Sequence, residues 1–190
     1  MTRLLTVILT AATLFGGTGF AMADAEFNPL LDLFGMNRGS GGSGPIPRTT
    51  VSFQGNYAPG TIIVDTRERR LYLVQDGGRA LRYGIGVGRD GFRWGGVHRI
   101  TAKKEWPSWT PPSQMLRRRP DLPRHMVGGP DNPLGARAMY LGSTLYRIHG
   151  SNEPETIGQA VSSGCFRMVN EDVIDLYDRV RVGATVIVKN

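Results

Sequence analysis

From Thr61 onward the chain is divided into short apolar segments by turn-forming residues, and this spacing leaves room for strands and little else. Thr61-Ile62-Ile63-Val64-Asp65 is β-branched, and Leu71-Tyr72-Leu73-Val74 follows after a polar turn at residues 66–70. Asp76-Gly77-Gly78 is a hairpin signal. In residues 80–87, Leu81, Tyr83, Ile85 and Val87 recur at period two and share one face of a strand. Residues 97–101 and 184–188 read as further strands, and residues 139–149 as a strand pair bent near Gly142-Ser143. One helix is well signalled. Asn170 is its expected N-cap, Glu171 and Asp172 suit its first turn, and Val173, Leu176, Tyr177 and Val180 form its apolar stripe. The expected fold is mainly β: a sandwich or barrel of short strands with one helix near the C-terminus.

Ahead of this region the first 23 residues read as a secretory leader. Thr2-Arg3 starts it, Leu4 to Leu14 is its apolar run, and Ala21-Met22-Ala23 is a cleavage signature. Gly16, Gly17 and Gly19 interrupt the run before it could span a bilayer, and no later segment is long and apolar enough to cross a membrane. The expected product is a soluble exported protein, residues 24–190, with no transmembrane segment. Residues 24–50 read as a flexible linker around Gly39-Ser40-Gly41-Gly42-Ser43-Gly44. Residues 51–190 read as a single domain with its core in 61–189. Losing Arg3 with the leader would reduce the net charge from +7 to +6. Such a surface favours acidic partners, and export argues against nucleic acid. No amphipathic basic helix marks a membrane-coating protein.

Residues 103–137 stand apart. They hold seven of the twelve prolines, and seven Lys or Arg against three acids. A long, proline-stiffened basic loop inside a compact domain is usually functional, often a lid. Ser113 is a candidate cap for a short helical stretch that Pro120 ends. Arg117-Arg118-Arg119 reads equally as a solvated face or as substrate steering.

The chain contains one cysteine, Cys165. A lone thiol in an oxidising compartment has no disulfide partner and invites a chemical explanation. A thiol attacks as its thiolate, and a nearby imidazole takes its proton. His149 ends the apolar segment Leu145-Tyr146-Arg147-Ile148, and Gly150 allows a sharp turn after it. Gly164 would present Cys165 without crowding and leave a backbone N–H for an oxyanion. Taken singly, Cys165 also reads as a small core residue and His149 as a structural histidine. Three histidines and one cysteine give no local metal-ligand spacing. No metal or cofactor is expected, with His98 read as structural or surface and His125 as a lid residue.

Together, His149-Gly150-Ser151-Asn152 and Ser162-Ser163-Gly164-Cys165-Phe166-Arg167-Met168 resemble the signature of the L,D-transpeptidase catalytic domain family. Trp106-Pro107-Ser108-Trp109-Thr110-Pro111-Pro112, residues 129–135 and residues 62–73 agree with it in order, so the likeness runs from about Thr61 to the C-terminus. The resemblance implies a mostly-β sandwich with the cysteine and histidine facing a cleft under an extended lid, here residues 106–137. It implies the tetrapeptide stem of peptidoglycan as substrate. Cys165 would be the nucleophile and His149 the general base and acid. The Gly150 carbonyl would orient the imidazole, and N–H groups near Gly164 and Cys165 would form the oxyanion hole. Arg167 would hold a stem carboxylate, with a structural salt bridge as the equal alternative. Many members carry histidine where Ser163 stands, so Ser163 is expected to affect thiol poise or substrate fit. The family also implies acylation of Cys165 by carbapenems and a periplasmic or cell-envelope location. The acceptor would be an amine of a second stem or of an outer-membrane protein. Water as acceptor, giving L,D-carboxypeptidase action, and a non-catalytic wall-binding module remain the alternatives.

Overall fold

The computed structural model describes residues 44–190. The expected leader (1–23), and the linker as far as residue 43, lie outside the described residues. Eleven strands are present among them: β1 (Thr49–Ser52), β2 (Ile62–Asp65), β3 (Arg70–Gln75), β4 (Arg79–Gly84), β5 (Val87–Gly88), β6 (Gly96–Glu105), β7 (Arg137–Leu141), β8 (Arg147–His149), β9 (Ala160–Ser162), β10 (Phe166–Arg167) and β11 (Thr185–Lys189). Two α-helices, α1 (Ser113–Arg118) and α2 (Asn170–Arg179), and a 3-10 turn at Pro154–Thr156 complete the described elements.

Nine strands form one sheet in the order β1-β4-β3-β2-β11-β6-β7-β8-β10, while β5 and β9 pair separately. The mainly β expectation holds, as one sheet that curls around its core. The long strand β6 makes the curl possible. Its first residues pair with β11 and its later residues with β7, and the register shifts between Ile100 and Ala102. A bulge there bends the strand and raises its local twist, so its two halves belong to different faces of the domain.

Period-two alternation fills the interior. Leu81, Tyr83, Ile85 and Val87 are all buried, as their spacing predicts, and meet Ile62, Val64, Leu71 and Leu73 of β2 and β3. Helix α2 closes the core with Val173, Leu176 and Val180, while Tyr177 packs at the edge. Asn170 departs from its expected capping role. It is the first helical residue, Val169 occupies the cap, and the Asn170 Oδ1 instead accepts the Ala136 N–H at 2.9 Å. Helix α1 forms between Ser113 and Pro120 as anticipated, but without a capping hydrogen bond from a side chain and without a buried residue.

Two residues of β1, Thr49 and Thr50, fall on the linker side of the boundary expected at residue 51; β1 pairs with β4. Just before it, Arg48 reaches Asp172 at 3.4 Å and Asp175 at 3.2 Å on α2. The Tyr83 hydroxyl donates to Asp175 at 2.6 Å, and Arg179 binds the same carboxylate. Composition alone hides this docking, because the partners lie more than a hundred residues away in the chain.

The proline-rich segment is tied at its neck. Trp109 and Met126 exchange both backbone hydrogen bonds at 2.8 Å. The buried Asn132 donates to the Val127 carbonyl at 2.9 Å and accepts the Leu134 N–H at 2.9 Å. This anchored segment supplies one wall of the cleft described next.

Candidate active site

Strands β8 and β10 run parallel, with Phe166 beside Ile148 and Arg167 beside His149. Ile148 and Phe166 point into the core and are fully buried. Side chains alternate across a strand, so Arg147 and His149 share the other face, and so do Cys165 and Arg167. Continuing the register by one residue sets Cys165 beside Arg147. These four side chains line a cleft of about 1030 Å³ together with Ser163, Trp109, Met115 and Arg118. Cys165 and His149, separated by the whole β8–β10 connection in sequence, therefore face one space.

His149 is 4% exposed, and its Nδ1 lies 2.6 Å from the Gly150 carbonyl oxygen. A carbonyl only accepts, so Nδ1 carries the proton. Burial pushes the imidazole down to about 3; the Gly150 carbonyl opposes this, while the charges of Arg167 and Arg147 add to it. At neutral pH the ring is therefore neutral, with an unprotonated Nε2 ready to take a proton. Burial pushes the Cys165 thiol up, against the Arg147 backbone N–H, the Arg147 guanidinium and Arg167. The thiol also sits 3.9 Å from the Leu145 carbonyl. The resting pair is thus thiol and neutral imidazole.

Three interactions hold the loop before Cys165. Ser162 Oγ donates to the Cys165 carbonyl at 2.6 Å and accepts the Gly164 N–H at 3.1 Å. Trp94 Nε1 donates to the Gly164 carbonyl at 2.6 Å. The Trp94 ring stacks on Tyr146 at 4.4 Å with an 8° interplanar angle. Gly164 has φ +107°, and a Cβ there would overlap the Tyr146 ring. Its place in the loop thus depends on having no side chain. The Gly164 N–H, expected from the sequence to face an oxyanion, is occupied by Ser162 in this structure; of the two amides named, the Cys165 N–H is the remaining candidate.

Arg167 lines the cleft but its guanidinium binds Glu153 at 2.9 Å. Ser163 lines the cleft as well, whereas Gly150 and Gly164 do not. His125 is in the proline-rich segment, 3.2 Å from Thr110 Oγ1. His98 packs its ring edge-on to Trp94. Sequence reasoning gave no role to Ser162, Trp94, Tyr146 or Arg147. Arg147 was within reach of it, since a residue two before His149 on one strand shares its face. Trp94 was not, because it meets Gly164 across 70 positions of chain.

Comparison with known proteins places this arrangement. Residues 59–188 match the L,D-transpeptidase catalytic domain, YkuD. The chain belongs to that family, whose domain is that of a transferase. The protein named "Probable L,D-transpeptidase ErfK/SrfK" of Escherichia coli strain K12 is 39% identical over 134 residues, which are 66% of this chain and 42% of that protein. The chain thus spans less than half the length of that relative. A crystal structure from Brucella melitensis, described as a "Probable carnitine operon oxidoreductase caia", is 50% identical, covers 72% of this chain and 89% of that one, and has a TM-score of 0.51. L,D-transpeptidase 3 from Mycobacterium tuberculosis is 16% identical over 68% of this chain and 60% of its own, with a TM-score of 0.56, a likeness of fold.

Proposed function

We propose that this chain is an exported, cysteine-dependent peptidoglycan L,D-transpeptidase of the cell envelope. The observation that carries the reading is the placement of Cys165 and His149 on adjoining strands in one cleft, with His149 Nδ1 tied to the Gly150 carbonyl. That tie leaves Nε2 as the base. His149 takes the thiol proton as Cys165 attacks the carbonyl of the third residue of a tetrapeptide stem. The Cys165 N–H meets the developing oxyanion. As the C–N bond breaks, His149 returns the proton to the leaving amine, and D-alanine departs. An amine then attacks the thioester, His149 removes its proton, and the thiol re-forms. A neutral imidazole suits this cycle because it must both accept and return one proton.

The acceptor amine is the side chain of a second stem's third residue, giving a 3–3 cross-link, or belongs to an outer-membrane protein. The basic cleft wall, with Arg118 and Arg119, and Ser163 near the thiol serve stem binding. Arg167, held by Glu153, fixes the floor beside His149. The oxidoreductase description of the Brucella structure is not carried to this chain, whose family match is to a transpeptidase domain.

The test is mass spectrometry of the purified protein with tetrapeptide-stem muropeptides, beside Cys165→Ala and His149→Ala. A dimer joined through two third residues, absent with either variant, is the expected result. D-alanine release with tripeptide alone would make the enzyme an L,D-carboxypeptidase. Wall binding without any cysteine-dependent product would replace the proposal with a binding module.

A further inference from the structure

Most arginines lining the cleft are already engaged. Arg119 binds Asp121 at 2.6 Å, Arg167 binds Glu153 at 2.9 Å, and Arg118 and Arg89 lie over the Phe92 ring. Arg147 differs from them. No carboxylate pairs with it among the described residues; its guanidinium rests over the Tyr140 ring at 5.1 Å, and its Nε is buried without a hydrogen-bond partner. The parallel register of β8 and β10 sets it directly beside Cys165. A cation half-sheltered from water, hydrogen-bonded to the reacting thiol but without a carboxylate partner, is suited to receive an anion supplied by the substrate.

We propose that Arg147 is the subsite for the free α-carboxylate of the residue expelled when Cys165 attacks. This rests on the transpeptidase reading above. In a stem that ends one residue past the scissile bond, the carboxylate is three bonds from the attacked carbonyl carbon. It must then lie within about 5 Å of the sulfur, roughly the spacing of neighbouring strands that separates Cys165 from Arg147. One more residue would carry the carboxylate about 3.5 Å further away. Arg147 therefore measures the donor's length: it holds a donor that ends at the leaving residue and is left without its anion by an amidated or longer donor. Tyr140, the cross-strand neighbour of Arg147, supports the guanidinium with its ring. Arg167 does not replace it, because Glu153 already occupies that guanidinium.

The experiment compares three donors: the tetrapeptide stem, the same stem with its terminal carboxylate amidated, and the pentapeptide stem. The wild-type protein is expected to use the free acid about 10- to 100-fold better in kcat/KM than the amide, the range expected when charge-assisted hydrogen bonds are lost. In Arg147→Met that preference should collapse, mainly through a higher KM for the acid, while the amide loses only what the raised thiol costs both donors. Arg147→Lys should restore part of it. Alkylation of Cys165 by iodoacetamide should slow in Arg147→Met, because the guanidinium lowers the thiol; this effect falls on acid and amide alike, so the ratio of their kcat/KM values isolates carboxylate binding. Equal use of acid and amide by the wild type overturns the subsite and leaves the transpeptidase reading standing, and it needs no variant. An acid-to-amide preference that persists in Arg147→Met while both donors slow together also overturns it, making Arg147 a partner of the thiolate alone. No cysteine-dependent turnover of any donor overturns both proposals.

Discussion

Replacing Gly164 with alanine tests how the thiol is held. At φ +107° an L-residue is strained, by about 1–2 kcal/mol. The added Cβ would also overlap the Tyr146 ring, with Cδ1 at 3.0 Å and Cζ at 3.3 Å. Tyr146 has little freedom to retreat because Trp94 stacks on it at 4.4 Å and is itself fixed to the Gly164 carbonyl. Overpacking of this kind adds about 1–3 kcal/mol, for a total of about 3 kcal/mol. Gly183 is a matched control, with φ +92° and nothing within 4 Å of its Cβ position. Gly183→Ala should therefore show the strain alone. For a domain of this size about 3 °C accompanies each kcal/mol, so Gly183→Ala should lower Tm by about 3–6 °C and Gly164→Ala by about 9 °C. Thermal unfolding followed by circular dichroism measures both. Turnover should separate them further. Shifting Gly164 moves the Cys165 sulfur, and a displacement of this order slows a positioned reaction about 100-fold, while Gly183→Ala should leave it unchanged. Equal Tm losses in the two variants would refute the packing argument. A Gly164→Ala protein with normal turnover would refute the claim that this loop positions the thiol.

The protonation states of the pair predict a pH profile: with the thiol raised by burial and His149 lowered to about 3, alkylation of Cys165 by iodoacetamide should accelerate steadily from pH 6 to above 8. A rate constant that is flat across that range would mean a preformed thiolate–imidazolium pair. Burial also lifts the Asp172 carboxyl to about 6, with Arg48 opposing and Asp175 and Glu171 adding. Between an unfolded value of about 3.9 and that folded value, the native state retains a proton the unfolded state has released. Stability from this group is therefore present at low pH and lost as pH rises through about 6, by about 2 kcal/mol. Urea midpoints at pH 4 and pH 7 should reveal this component in the wild type and not in Asp172→Asn; an identical pH dependence in both would refute the assignment.

The strand pattern was legible because burial on one face leaves a period-two record in the chain. Leu81, Tyr83, Ile85 and Val87 could be assigned to the core from spacing, and the two motifs around His149 and Cys165 carried the family. The short strands were not legible. β9 and β10 have three and two residues, too few for any period, and exist because neighbouring backbones offer them partners. Asn170 looked like a cap from its local context, yet a backbone N–H 34 positions away claimed its side chain.

The sequence by itself determined the mainly β domain, the amphipathic stripe of α2, the stiff and basic character of the proline-rich stretch and the chemistry available to a thiol and an imidazole. Only the tertiary structure decided that β8 and β10 run side by side in parallel, so that Arg147 adjoins Cys165, and that Ser162 rather than a substrate takes the Gly164 N–H. Local periodicity records which face of an element is buried. It carries no record of which distant backbone lies alongside, because that choice is made by the summed packing of the whole domain.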